Sequence, residues 1–229
     1  MELIKAEFEK IMLYIKDNPG FGYDIISEIT RHICISSINM INQIRDIQSR
    51  DIKNILNLSP ILIDKKIRKR YKKHEIAYVH YPMPLNYKNF YQELYEHIHE
   101  TVRNGEKILI CCEKGNDKSP TVVINYLLRR MYLMEYNKKS PKEMKKTLKK
   151  FKLLDIIKFI KNVRSCTLLS NEYVQQLLFI ESQIKGQLME FLGEESSDSS
   201  SDESSSLEYF DSVEDFRNSL YIINDELKQ

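Results

Sequence analysis

The feature that most restricts the fold of this chain is an apolar strand followed by a short polar loop and an apolar helix. Residues 107–112 read KILICC, the pattern of a buried central strand, and residues 122–128 are apolar on nearly every side, as in a helix packed deeply on a sheet. Only a short polar segment, 113–117, separates strand from helix. This arrangement presents backbone N–H groups at a helix N-terminus, and it therefore predicts an anion-binding loop in an α/β protein.

Short aliphatic runs alternate with helical patterns on both sides of this unit. The predicted strands are 33–35, 52–58 and 76–83, and the predicted helices are 39–50, 87–103, 153–162 and one that starts at Ser170. Ser140-Pro141-Lys142-Glu143 opens a further helix with a capping box and a proline at the first helical position. We expect a central, mostly parallel sheet flanked by helices.

The chain divides into three predicted regions. Residues 1–21 form an amphipathic helix and a linker, residues 22–192 form the main domain, and residues 193–229 form an acidic, serine-rich tail that is mostly disordered. Residues 193–215 carry nine acidic and no basic side chains, and the net charge of the whole chain is +2. The first 192 residues therefore carry a charge of about +11.

Composition points to an intracellular, cytoplasmic protein. No apolar run approaches the roughly 18 residues that span a bilayer, and the N-terminus lacks the layout of a secretory signal. The four cysteines are too few and too irregularly spaced for a disulfide scaffold, and no spacing suggests a metal site, so we expect no metal and no cofactor. The basic run 65–73 is a solvated face, a contact for phosphorylated or nucleic acid partners, or a nuclear import signal.

The polar loop carries a recognisable spacing of residues. Cys112, Gly115 and Ser119 resemble the signature loop of cysteine-dependent phosphatases, His-Cys-x-x-Gly-x-x-Arg-Ser, whereas Cys111 and Lys118 stand at its histidine and arginine positions. The continuation Ser119-Pro120-Thr121-Val122-Val123 is similar to the dual-specificity subgroup. Residues 55–59 resemble the family's "VLNLS" strand, and 162–164 with 173–178 resemble its final helices, so the resemblance extends over about 22–187.

This resemblance implies a fold, a reaction and a set of site residues. Cys112 would be the nucleophile that forms a phosphocysteine intermediate, and Ser119 would hydrogen-bond its sulfur. The resemblance assigns the phosphate-binding loop to Glu113, Lys114, Gly115, Asn116, Asp117, Lys118 and Ser119. A thiolate at the base of a ring of N–H groups is stabilised by them and faces the phosphorus directly.

Three departures from the family pattern bear on turnover. Lys118 supplies charge but lacks the planar fork with which arginine grips two phosphate oxygens. Cys111 is a weak hydrogen-bond donor in place of the histidine that orients the loop. The family places its general acid, an aspartate, some thirty residues before the nucleophile, but no carboxylate lies between Glu75 and Glu93. Asn86 could occupy that place but could not deliver a proton, and His80 is a conceivable substitute.

Three functional readings follow from these residues. The first is a phosphatase of weakened activity that hydrolyses phosphotyrosine or phosphoserine/threonine monoesters in proteins. The second is a pseudophosphatase that binds phosphorylated proteins in the same pocket and does not release phosphate. The third and least favoured is a phosphatase for RNA 5′ ends or inositol lipids. The positive charge of the domain is the observation that favours it.

Overall fold

The computed structural model of the chain describes residues 2–20, 24–83 and 90–194. Its strands are β1 (Ser27–Glu28), β2 (Ile33–Ser37), β3 (Ile52–Asn57), β4 (Ala77–His80) and β5 (Lys107–Cys112). Its helices are α1 (Glu2–Asp17), α2 (Ile44–Ser49), α3 (Lys65–Lys73), α4 (Phe90–Arg103), α5 (Lys118–Lys138), α6 (Pro141–Thr147), α7 (Leu153–Val163) and α8 (Asn171–Glu194). The predicted central, mostly parallel sheet flanked by helices is confirmed.

The five strands form one sheet in the order β1-β2-β5-β3-β4. Only β1 runs antiparallel to its neighbour, whereas β2, β5, β3 and β4 are parallel. Ser37 pairs with Cys112, and Asn57 pairs with Cys111, so the carboxyl ends of the three central strands meet at one edge. This is the edge at which open α/β sheets place their ligands.

Alternation along β5 divides its side chains between two hydrophobic clusters. Ile108, Ile110 and Cys112 belong to the larger cluster, which includes residues of α1, α4, α5, α7 and α8. Leu109 and Cys111 belong to the smaller cluster, with residues of α2 and α3. The two adjacent cysteines therefore lie on opposite faces of the sheet, because successive side chains of a strand alternate.

The N-terminal helix belongs to the folded unit. Ile11 and Ile15 of α1 are buried in the larger cluster, and α1 packs against α8 of the same chain. At the other end, α8 continues to Glu194, just beyond the domain boundary predicted at 192. The rest of the predicted acidic tail, 195–229, lies outside the described residues.

Two elements differ from the patterns read in the sequence. The basic run 65–73 forms the helix α3, which begins with the Asp64 side chain accepting a hydrogen bond from the Lys66 N–H. The predicted helix 39–50 is divided into a 3₁₀ turn, Ile38–Asn42, and α2. Across the described ranges, no helix is both long enough and apolar enough to cross a membrane.

Candidate active site

The end of β5 and the first turn of α5 bring the sulfur of Cys112 close to the hydroxyl of Ser119. Cys112 Sγ lies 3.2 Å from Ser119 Oγ, and the two residues are 2% and 0% exposed. Asp117 is the residue before α5, and its carbonyl accepts a hydrogen bond from the N–H of Thr121. The sulfur is therefore placed at the base of the loop, beside the N-terminus of a 21-residue helix.

Gly115 allows the loop to pass close to the neighbouring strand. Its φ is +67°, and a Cβ at this position would lie 2.4 Å from both the carbonyl carbon and the oxygen of Ser36 in β2. Any side chain would therefore collide with backbone atoms of Ser36. It would also have to adopt the left-handed backbone conformation that only glycine adopts readily. The glycine of the signature is required here by the path of the chain.

A segment far along the chain, residues 164–170, holds three successive loop residues from one side. The hydrogen bonds are Arg164 Nε to the Gly115 carbonyl at 2.6 Å, Leu168 N–H to the Asn116 carbonyl at 2.7 Å, and Ser170 N–H to Asp117 Oδ1 at 3.0 Å. In a trans peptide the C=O and the following N–H point in opposite directions. The N–H groups of Asn116 and Asp117 therefore point away from this segment.

Arg164 is the residue of this segment that sequence reasoning missed, because we had assigned it only to the family-like final helices. It is 2% exposed, and its Nη1 donates to the Ile25 carbonyl at 3.1 Å and to Ser27 Oγ at 3.0 Å. Burial lowers its pKa from the ordinary value, and nearby thiol groups, including that of Cys112, act in the opposite direction. The sequence feature that could have identified Arg164 is a single arginine directly after an apolar helical segment.

Lys118, at the position of the family's arginine, is paired with a carboxylate of the same loop. Its Nζ lies 3.0 Å from Glu113 Oε1, and the two side chains are 22% and 37% exposed. The cation that would meet a phosphate is thus partly neutralised from within the loop.

The remaining members of the predicted phosphate-binding set are placed differently. Lys114 is exposed, whereas Asn116 and Asp117 are half-buried and face the 164–170 segment through their oxygen atoms. Burial raises the pKa of the Asp117 carboxyl, against the lowering effect of the Ser170 hydrogen bond and of Lys118. Asp117 therefore contributes an acceptor that fixes the loop.

Cys111 contacts the opposite side of the sheet. Its Sγ lies 3.8 Å from Oδ1 of Asn57, whose Nδ2 donates to the Ile61 carbonyl at 2.8 Å and to the Tyr78 hydroxyl at 2.9 Å. Burial raises the pKa of the Cys111 thiol. Cys111 is therefore a neutral, structural thiol.

The candidates for the general acid lie near β4. His80, the last residue of β4, donates through Nε2 to the Ser59 carbonyl at 2.9 Å, since a carbonyl can only accept. Asn86 lies outside the described residues. Within the described ranges, no group of three or more His, Cys, Asp or Glu side chains is arranged to hold a metal ion.

Comparisons with known proteins agree with this architecture. A family model described as the Rit1 DUSP-like domain matches residues 79–167. A protein of Invertebrate iridescent virus 6, provisionally named tyrosine phosphatase 123R, is 29% identical in an alignment of 96 residues that covers 39% of this chain. The match spans 55% of the viral protein's length.

Solved structures show the same fold at low sequence identity. DUSP15 superposes with a TM-score of 0.53 at 16% identity, over 77% of this chain and 100% of that one. A mouse protein provisionally named as a dual specificity phosphatase, complexed with zinc tungstate, gives 0.55 at 14% identity, over 73% and 93%. The human tyrosine phosphatase-like serine/threonine/tyrosine-interacting protein gives 0.52 at 16%, over 70% and 98%. The chain therefore has the dual-specificity phosphatase-like fold.

Proposed function

We propose that this protein is a cysteine-dependent protein phosphatase of the dual-specificity or tyrosine type, with weakened turnover. Its substrates would be phosphotyrosine or phosphoserine/threonine monoesters in proteins. The observation that carries the proposal is the 3.2 Å contact between Cys112 Sγ and Ser119 Oγ at the start of α5. A nucleophilic sulfur beside a hydroxyl donor and a helix N-terminus fits the two-step transfer of a phosphoryl group.

In the first step the Cys112 thiolate would attack phosphorus, and the P–O bond to the substrate oxygen would break. The leaving oxygen would take up a proton from His80 or from solvent water, and phosphocysteine would remain. In the second step water would attack phosphorus, the P–S bond would break, and inorganic phosphate would be released. Ser119 would then donate its hydroxyl proton in a hydrogen bond to the departing thiolate, which makes it a better leaving group.

The hydrogen bonds of the loop support an anion cradle. The carbonyls of Gly115 and Asn116 are engaged by Arg164 and Leu168. Within the described residues, the N–H groups of residues 113–117 donate to no other group of the protein. Donors of this kind stabilise the equatorial oxygens of a transferring phosphoryl group because they are fixed before the charge develops.

Two features lower the expected rate. Lys118 must leave Glu113 to meet a phosphate, and it then offers a point charge without a bidentate fork. His80 would have to break the hydrogen bond from its Nε2 to the Ser59 carbonyl before the Nε2 proton could reach a leaving group. Loss of an effective general acid costs about 100 to 10,000-fold in rate.

A second candidate is a binding module that holds phosphorylated proteins without releasing phosphate. The Glu113–Lys118 ion pair favours it, because an internal carboxylate reduces the electrostatic assistance that turnover needs more than binding does. One similar solved structure is that of a tyrosine phosphatase-like serine/threonine/tyrosine-interacting protein.

The deciding experiment is release of inorganic phosphate by the full chain from p-nitrophenyl phosphate, a phosphotyrosine peptide and a phosphoserine peptide. Cys112→Ser keeps the size and polarity of the site and removes the nucleophile. We expect slow release by the wild type and none above background by Cys112→Ser. Lys118→Arg should raise the rate by about tenfold or more, because a bidentate cation is restored.

The two candidates separate clearly in this assay. Release by the wild type that equals release by Cys112→Ser would eliminate the phosphatase. If both proteins nevertheless bind the phosphotyrosine peptide more tightly than the unphosphorylated peptide, the binding module stands. If neither discriminates between the two peptides, both candidates fail.

A further inference from the structure

Helix α3 gathers a concentrated positive charge on the surface of the domain. All seven of its basic side chains are exposed: Lys65, Lys66, Arg68, Lys69, Arg70, Lys72 and Lys73. None of the seven forms an ion pair with a carboxylate of the described residues. On most protein surfaces, positive and negative side chains are interspersed. A helix with seven such positive charges creates a field that attracts a negatively charged partner.

The shape of the charged surface narrows the class of partner. Tyr71 is 1% exposed and, with the half-buried Ile67, attaches α3 to the smaller hydrophobic cluster. At 100° per residue, the seven basic positions cover an arc of roughly 200° on the other side of the helix. A flat surface such as a bilayer meets only part of such an arc. A groove lined with phosphates on both sides meets all of it.

The position of α3 places this charge next to the sheet edge that carries Cys112. Asn57 ends β3 in register with Cys111, and the chain then passes through residues 58–64 into α3. The helix therefore starts on the side of the candidate active site. Its nine residues extend over about 13 Å, which is enough to follow two or three phosphates of one strand.

We infer that α3 is a binding surface for the phosphodiester backbone of a double-helical nucleic acid. Its basic side chains contact phosphates on both walls of a groove, without reading the base sequence. The inference does not depend on chemistry at Cys112, and a protein that lacks phosphatase activity would keep this surface.

The test measures binding of the full-length protein to a fluorescein-labelled 20-base-pair RNA duplex and to the DNA duplex of the same sequence, between 50 and 200 mM salt. The α3 variant is Lys69→Gln/Arg70→Gln/Lys73→Gln. The matched control is Lys142→Gln/Lys146→Gln/Lys149→Gln, which removes three exposed charges in and just after α6. Glutamine preserves helix propensity in both, and circular dichroism and thermal melting verify folding.

For four to six phosphate contacts, two or three on each wall of the groove, wild-type affinity should fall about 100 to 2,000-fold over this salt range. The α3 variant should reduce the slope of log K against log salt by about three, whereas the control should retain the wild-type slope. Comparable binding of both duplexes indicates recognition of the phosphate backbone common to both, and preference for RNA identifies A-form geometry; either outcome supports the inference.

Three results would overturn it. These are no duplex binding at 50 mM salt, equal slopes for the α3 variant and its control, or binding only to vesicles that contain phosphatidylserine. Vesicles of phosphatidylcholine with and without phosphatidylserine are included as separate samples for that reason.

Discussion

The carboxylate of Glu113 and the ammonium of Lys118 lie 3.0 Å apart, at the two ends of the same loop. Lys118 stands where the family has an arginine, so the residue expected to meet phosphate is bound to an internal anion. A phosphate that enters must displace Glu113 or share the cation with it. This competition is a property of the loop itself, since both partners lie within six residues of one another.

Glu113→Gln should raise the affinity of the loop for oxyanions. The ion pair is partly exposed, so its contribution is at most about 1 kcal/mol and the expected gain is up to about fivefold. Binding of tungstate, followed by calorimetry, measures the change. Asp51→Asn is the matched control, because Asp51 pairs with Lys53 at 3.4 Å beside the first residues of β3, at the end of that strand opposite to the loop. Equal gains in both variants would mean that only net charge matters.

The sequence predicted the parts of the site that depend on local pattern. The pattern predicted an apolar strand, a short polar loop and an apolar helix, and the resemblance of that loop to the phosphatase signature then assigned Cys112 and Ser119. The separation between them fixes the length of the loop. Gly115 was readable as a position where the chain must turn, and its φ of +67° agrees. Each of these inferences uses residues within a dozen positions of Cys112.

Gly115→Ala and Gly105→Ala separate backbone strain from steric exclusion. Both glycines have positive φ, +67° and +72°, but a Cβ at Gly105 meets nothing within 4 Å. Gly105→Ala should therefore cost only about 1 to 2 kcal/mol of stability. Gly115→Ala should cost about 3 kcal/mol or more, because the carbonyl of Ser36 must also move, and tungstate binding should be lost. Urea denaturation gives both values, and equal losses would contradict the role assigned to Ser36.

The parts that sequence reasoning could not supply depend on the three-dimensional path of the chain. Arg164 meets the Gly115 carbonyl from 49 positions away, and no local pattern announces that contact. The pairing of Glu113 with Lys118 depends on the path of the loop. The basic run 65–73 has only two apolar residues, Ile67 and Tyr71, which is too few for a helical pattern to be recognised. The packing of these two residues on the smaller hydrophobic cluster stabilises the helix, and the sequence does not show that contact.

Arg164→Met should loosen the loop as well as lower stability. The substitution removes the donor of two buried acceptors, the Gly115 carbonyl and the Ser27 hydroxyl. Unsatisfied buried acceptors cost about 1 to 3 kcal/mol each, so a loss of about 3 kcal/mol is expected. Arg50→Met, which breaks an exposed pair with Glu28, should cost at most about 1 kcal/mol. Similar losses in urea denaturation would show that Arg164 does not brace the loop.

Asp117→Asn should change how stability depends on pH. Burial raises the pKa of Asp117 in the folded protein above its ordinary value of 3.8, so between these two values the folded state binds more protons than the unfolded state. The free energy of unfolding of the wild type therefore contains a component that falls as pH rises through this interval. Asparagine removes that component and can still accept the Ser170 hydrogen bond. The stability of the variant relative to wild type should thus rise from pH 4 upward.

Glu143→Gln provides a control of opposite sign for this measurement. Hydrogen bonds from the side chain and the N–H of Ser140 lower the pKa of Glu143, so its contribution to wild-type stability is present above its ordinary value of 4.5 and is lost as pH falls through the lowered value. Relative to wild type, Glu143→Gln should therefore lose stability as pH rises. Urea denaturation of the three proteins at several pH values decides the matter. If the Asp117→Asn difference moves in the same direction as that of Glu143→Gln, burial does not dominate at Asp117, and the loop carries an ionised carboxylate that the hydrogen bond from Ser170 stabilises.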